Sequence, residues 1–304
     1  MSRLTRYLTE LRDAARPVVP SRLTKLSDLS PEEVEEFREA WPEIEVARRR
    51  QVVNRLIELV EDDIALDFDP VFAACLDDPD GEVKAKAIEG LWYAEEPALI
   101  AAFIRLLVED ETEAVRAAAA TGLGQFAYLA EVEEIPARYR REIEQALVAA
   151  FNREGEGAPV RRRALEAVSA VSSPVVDELI RQAYSSDSLD FRISAVFAMG
   201  RNYNPVWLAA VLKELTSPHP QLRFEAARAS GELEAQEAVP TLAQMLCDSD
   251  IEVKLAAVTA LGHVGGADAR EALEKCLEGA DEATREVAKE ALEEMDLWEH
   301  LPGF

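Results

Sequence analysis

Histidine and cysteine are scarce in this chain, three of each in 304 residues. His219, His263 and His300 stand far apart, with no HxxxH or HExxH pair and no cysteine set beside any of them. A zinc or di-iron centre needs several converging His, Cys or carboxylate ligands, so the sequence offers no metal site. Cys75, Cys247 and Cys276 are odd in number and widely spaced, which fits buried free thiols in a reducing cytosol better than a disulfide framework. No stretch approaches the ~20 apolar residues of a membrane span. The opening MSRLTRYLTELRDAARP lacks the apolar core of a signal peptide, so the expected location is cytoplasmic. The GxxxxGK(S/T) and GxGxxG phosphate loops and the GxSxG elbow are also missing. No catalytic residue and no cofactor is assigned on these grounds.

Basic residues are outnumbered, 33 against 59 acidic ones, for a net charge of −26. Such a surface repels nucleic acid and anionic membranes. Acidic pairs such as Glu95-Glu96 and Glu133-Glu134 are expected at this composition and carry no acid–base assignment. The charge is uneven, and in residues 1–27 six Lys or Arg face two Asp or Glu. Leu4, Tyr7, Leu8, Leu11 and Ala15 share one helical face there, flanked by Arg3, Arg6, Arg12 and Arg16. Such a helix docks on its own acidic body, or it anchors on a membrane or partner through residues 1–16.

What the chain does have is a repeat. Its clearest copy is Asp248–Gly265, an acidic turn followed by Val253, Lys254, Ala257, Leu261 and Gly262. The anchor Val253 has equivalents at Val83, Val115, Val160, Phe191, Leu222 and Thr284, spaced by 32, 45 and then 31 residues. One residue later all seven copies are basic, and four residues later all seven are alanine. Eight residues later stand Leu91, Leu123, Val168, Met199, Ser230, Leu261 and Leu292. Positions 0, +4 and +8 line one face of a helix, and alanine at its middle lets a neighbour approach closely. Glycine at +9 (Gly124, Gly200, Gly231, Gly262) suggests a helix end in the left-handed region. Between these helices lie apolar segments at Pro97–Asp110, Pro174–Ser185, Pro205–Ser217, Ala238–Cys247 and Ala267–Gly279. Each repeat reads as helix, turn, helix, and only a stack of such pairs buries its apolar faces.

On these residues the chain resembles the HEAT-repeat proteins, and its short 31-residue form is similar to the repeats of phycobilin lyase subunits. The pattern covers residues 68–295, with a diverged pair reaching back to about 31. The resemblance implies an all-α fold, an α-solenoid of the HEAT/armadillo-like superhelix type with about eight antiparallel helix pairs. It also implies a ladder in which the basic residue after each anchor joins an acidic turn residue. Asp78, Asp110 and Asp248, five before their anchors, fit that acid. The other copies offer Gly155, Ser186 and Gly279 there, with Ser217 and then Pro218 before Leu222, which would leave the ladder incomplete. HEAT-type deoxyhypusine hydroxylases carry several His-Glu dyads, and no His-Glu dipeptide occurs here.

In chain order, 1–29 reads as a basic N-terminal helix and linker, with Pro17–Leu29 the linker. The solenoid spans 30–295, opening with a cap pair at 30–66. Ser30-Pro31-Glu32-Glu33 is a helix start, Trp41-Pro42 a break, and Glu45–Glu61 the second helix. Arg48, Arg49 and Arg50 form either a basic site or, better, a solvated face beside Glu43, Glu45 and Glu58. The 45-residue step inserts 14 extra residues near 126–159, read as a longer loop, a longer first helix and a flexible turn at Gly155, Gly157 and Pro159. The tail 296–304 contributes Trp298 and Phe304 as a cap over the last repeat.

The family resemblance assigns the second helix of each pair to a concave face. With 0, +4 and +8 buried, positions +3, +6 and +10 turn towards that groove. They hold Lys86, Glu89 and Tyr93, then Ala118, Thr121 and Gln125, then Arg163, Glu166 and Ala170. The next copies supply Ser194, Phe197 and Arg201, and Glu225, Arg228 and Glu232. Aromatic and arginine side chains are the usual energetic anchors of interfaces, which singles out Tyr93, Phe197, Arg201, Arg163 and Arg228. Trp92, Phe126, Tyr128 and Tyr203 sit near the same helix ends. The alternative is that these aromatics pack between repeats. The expected function is a non-enzymatic scaffold or adaptor for a protein or peptide, not for nucleic acid. The alternative that the resemblance implies is a phycobilin-lyase-like subunit that attaches or chaperones a chromophore. The sequence sets no oligomeric state.

Overall fold

A computed structural model describes residues 3–13, 15–279 and 281–300, the side chains of Arg3 and 298–300 excepted. The expected cap by Trp298 and Phe304 lies outside what is described. Among the described residues every regular element is helical and there is no strand. The chain divides into two compact units, Met1–Ala167 and Val168–Phe304. Each is a set of antiparallel helix pairs stacked side by side, the α-solenoid architecture.

The first unit begins with α1 (Arg3–Leu11) and the short α2 (Pro20–Leu23). Four pairs follow: α3 (Pro31–Ala40) with α4 (Val46–Asp62), α5 (Asp69–Cys75) with α6 (Gly81–Gly90), α7 (Ala98–Glu109) with α8 (Glu113–Glu131), and α9 (Ala137–Asn152) with α10 (Ala158–Val168). The second unit has four more: α11 (Pro174–Tyr184) with α12 (Leu189–Arg201), α13 (Leu208–Glu214) with α14 (Pro220–Glu232), α15 (Val239–Met245) with α16 (Ile251–Val264), and α17 (Ala267–Gly279) with α18 (Glu282–His300).

The N-terminal helix docks on the body. Leu4, Tyr7, Leu8 and Leu11 are buried, and α1 packs on α3. Its apolar face is therefore occupied inside the protein. Arg12 pairs with Glu43 and Arg22 with Glu10. The stretch read as a linker contains α2 and a 3-10 turn at Thr24–Leu26, with Leu23 and Leu26 fully buried. Ser30 forms a complete capping box with Glu33 at the start of α3.

The repeat positions explain the stacking. Alanine at +4 is fully buried in all seven copies. The anchors and +8 residues are buried too, except Phe191 and Leu292, which are half-buried. Glycine at +9 departs from expectation. Gly124, Gly200, Gly231 and Gly262 lie inside their helices and do not have positive φ. Each instead receives the +7 alanine of the following second helix. A Cβ on Gly200 would lie 2.8 Å from Ala229 Cα, and one on Gly231 would lie 3.1 Å from Ala260 Cα. Gly124 and Gly262 meet Ala167 and Ala291 in the same way. The left-handed residue comes three positions later, at Tyr203 (φ 53), Glu234 (φ 49) and Gly265 (φ 67).

The basic ladder is more complete than its expected acids allow. Lys84 pairs with Asp110, and Arg223 binds Asp248 through Nε and Nη2, both at 2.8 Å. Where the acid five before the anchor is missing, a nearby one serves. Arg116 donates to Glu156 at 2.7 Å, Arg192 lies 3.5 Å from Glu214, and Lys254 lies 3.3 Å from Asp281. Arg161 has the Phe151 carbonyl at 2.8 Å and the Phe151 ring beneath it. The arginine run is neither a binding site nor a solvated face. Arg48 and Arg49 are buried, Arg49 Nη1 meets Asp78 at 3.0 Å, and Arg50 clasps Asp80. They are the first rungs of the ladder, because α4 precedes the turn that carries both aspartates.

The insertion is mostly helix. It lengthens α8 as well as α9, and only residues 132–136 separate them. The turn with Gly155 is clamped, since the Glu156 carboxylate is buried between Arg116 and Arg153. Only Cys75 is a buried thiol. Cys247 is exposed and Cys276 half-buried, because they lie on the outward side of the first helices.

Gly200→Ala is expected to cost about 1–3 kcal/mol through overpacking against Ala229, whereas a Cβ at Gly279 meets nothing within 4 Å and Gly279→Ala should be neutral. Urea unfolding of both checks this, and equal stabilities would remove the close-approach explanation. Arg49→Ala strands the Asp78 carboxylate without a cation, leaving it only neutral donors, Trp41 Nε1 and the Asp80 backbone N–H, and should cost about 3 kcal/mol by the same measurement.

Candidate functional site

A second helix buries its 0, +4 and +8 residues, so its remaining face stays available. In the second unit this face brings three of the five singled-out residues together. The Arg228 guanidinium lies 4.2 Å from the Phe197 ring centroid, a cation–π contact between α14 and α12. Its Nε donates to Glu225 at 2.9 Å, its Nη1 to Glu232 at 2.6 Å, and its Nη2 to the Phe197 carbonyl at 3.5 Å. Arg201 of α12 joins through the field of Glu232. Burial pushes the Glu232 carboxyl above its ordinary range, and Arg228 and Arg201 pull against that shift. Between α14 and α16 a groove of about 450 Å³ opens beside this cluster, walled by Phe224, Leu255 and Thr259 and rimmed by Arg228, Glu232 and His263.

Of the positions expected to face a groove, Arg228 at +6 and Glu232 at +10 line the α14–α16 groove. Ser194 was expected in the groove and is fully buried, because α12 is covered there by its neighbour α14. Phe224 and Leu255 stand at +2, a position the spacing rule passed over. Their signal was a large apolar residue at +2 in two successive copies.

Tyr93 and Arg163 belong to the first unit. Tyr93 is 80% exposed in the turn after α6, and Arg163 is exposed on α10 and pairs with Glu166. Of the other aromatics, Phe126 packs inside against Phe103, at 6.1 Å between ring centroids. Trp92, Tyr128 and Tyr203 are exposed.

Among the described residues no three His, Cys, Asp or Glu side chains converge as a metal site would require, and no helix is long and apolar enough to cross a membrane. Asp69 is the carboxylate whose ordinary range is most clearly left behind. Burial, with Asp67 and Glu96 adding negative field, pushes it up to about 6.

The fold defines a class, helical-repeat proteins that present a row of second helices. HEAT repeats match at residues 68–137 and 208–293, more than half of the sequence, and the chain belongs to the HEAT-repeat family. No curated protein matches it. Among solved structures it is similar to the complex of CpcE and CpcF of phycocyanin lyase from Nostoc sp., at 17% identity and a TM-score of 0.52, over 94% of this chain and 96% of that one. It is also similar to a structure describing Kap95p bound to RanGDP, at 16% identity and a TM-score of 0.50, over 96% of this chain and 46% of that one. These likenesses are likenesses of fold.

Asp69 gives a prediction with a definite sign. Its folded pKa of about 6 lies above the ~3.9 of an unfolded aspartate, so the fold favours the protonated form. Its contribution to stability is fully present below about pH 4 and is lost as pH rises through about 6. Asp69→Asn should therefore raise the melting temperature above wild type at neutral pH and leave it unchanged near the bottom of that window. Equal melting temperatures at both ends would show that Asp69 feels no uncompensated field.

Proposed function

We propose that the chain is a non-enzymatic protein-binding scaffold that receives a peptide or protein partner on the free face of its second helices. The observation that carries this reading is the α14–α16 groove. It joins an apolar wall, Phe224 and Leu255, to an arginine held over an aromatic ring, Arg228 on Phe197. Such sites supply interface anchors, and their rigidity limits the ordering cost of binding. A net charge of −26 supports a protein partner over nucleic acid. A chromophore-handling role in the manner of phycocyanin lyase is the alternative, supported by similarity of fold alone. No cofactor is assigned, and a cytoplasmic location remains the proposal.

The test is affinity capture from native extract with the full-length wild type and with Leu255→Arg, which fills the groove from a half-exposed position. A partner retained by the wild type should be lost from the variant, with the melting temperature preserved. Retention of every partner by a folded Leu255→Arg protein would end the groove reading.

A further inference from the structure

The two ends of the second helices in the first unit differ in charge balance. At their N-terminal ends the acids are neutralised, Asp78 by Arg49, Asp80 by Arg50, Asp110 by Lys84 and Glu156 by Arg116. At their C-terminal ends the chain turns back to the next pair, and there basic residues are missing altogether. No Lys or Arg occurs in 56–83, 87–104 or 117–137, the stretches that contain these turns.

Glu131, the last residue of α8, is answered by Arg140, but the other acids of those turns have no ionic partner among the described residues. They are Asp62 at the end of α4 and Asp63, Asp67 and Asp69 beyond it; after α6, Glu95 and Glu96; after α8, Glu133 and Glu134. The salt bridges of the unit include none of them. Successive second helices run parallel, since each closes an antiparallel pair and α4 packs on α6 and α6 on α8. Their C-terminal turns therefore form one edge. Burial is the main cause of the raised Asp69 carboxyl, and Asp67 and then Glu96 of the adjoining turn add to it.

The same turns carry large exposed apolar side chains. Ile64 is 93% exposed, Tyr93 80% and Trp92 49%, and Tyr128 and Val132 follow at the end of α8. Lone exposed apolar residues are ordinary, but recurrence at three successive turns along one edge makes a docking surface. We propose that this edge of the first unit binds a basic segment of another protein, whose apolar side chains meet Ile64, Trp92 and Tyr93 while its Lys and Arg meet the unpaired carboxylates. The inference rests on the scaffold reading of the chain but not on the α14–α16 groove. Charge complementarity selects the occupant. An acidic segment would face at least eight uncompensated carboxylates, and a neutral one would leave them unanswered. Trp and Tyr faces also attract Lys and Arg directly.

The experiment uses the full-length protein and two fluorescein-labelled peptides, one alternating lysine with leucine and one alternating glutamate with leucine, read by fluorescence anisotropy. The lysine peptide should bind saturably and weaken as salt rises. Ile64→Ser combined with Tyr93→Ala should weaken it roughly 30-fold. Glu96→Lys should weaken it roughly tenfold. Glu252→Lys makes the same charge change at the second-unit groove and should leave it unchanged. All four positions are exposed, and circular dichroism verifies folding of each variant. Equal binding of the glutamate peptide, absence of saturable binding, or insensitivity to Glu96→Lys and to the double variant would each overturn the proposal. If Glu252→Lys alone weakens the lysine peptide, the edge is refuted while the groove reading survives.

Discussion

The close approach of consecutive second helices is the constraint on which each unit depends. Alanine at +4 removes side-chain bulk from the middle of the buried face, and glycine at +9 accepts the +7 alanine of the next helix with almost no clearance. Little room for a larger side chain remains at these points, so the spacing between repeats follows from backbone contact. Interiors packed this tightly tolerate little added volume. The larger apolar residues, Phe72, Phe103 and Phe151 among them, belong to the first helices and fill the space between the two helical layers.

Close packing sets where charge can go. With the inner positions apolar, ionic groups are confined to helix ends and outer faces. At the N-terminal ends of the second helices the basic residue at +1 reaches an acid in the turn of the following repeat, tying neighbours together side by side. These pairs are partly buried and hydrogen-bonded, so breaking one leaves an exposed deficit in the packing rather than a solvated charge. The acids so held also cap the helices that follow. Asp80 accepts from the Val83 backbone N–H and Asp281 from that of Thr284. In the first unit the acids that the ladder does not absorb gather at the opposite ends of the second helices.

The stacked repeats expose two kinds of surface. The outer face of α14 and α16 is a groove with apolar walls and an internally satisfied arginine. The turn edge of the first unit is convex in its chemistry: exposed aromatics among unpaired carboxylates. One is apolar and grooved, the other charged, and both rest on the same repeat.

The amino-acid sequence alone determined the repeat, the pairing of helices and the identity of the buried face, because a 31-residue period and a 0, +4, +8 pattern are local statements about α-helices. It also determined the ladder bases and the Ser30 start of α3. It did not determine which acids complete the ladder, since Glu156, Glu214 and Asp281 reach their partners from other turn positions, and reach depends on three-dimensional distance. The role of glycine at +9 was equally hidden. A glycine near a helix end reads as a cap, and only the neighbouring helix shows it to be a contact. Of the candidate site, Phe197 and Arg228 were singled out by their spacing, but their stacking belongs to the tertiary structure. Burial of Arg48 and Arg49 was decided there too, because a run of arginines becomes interior only when another repeat brings aspartates to meet it.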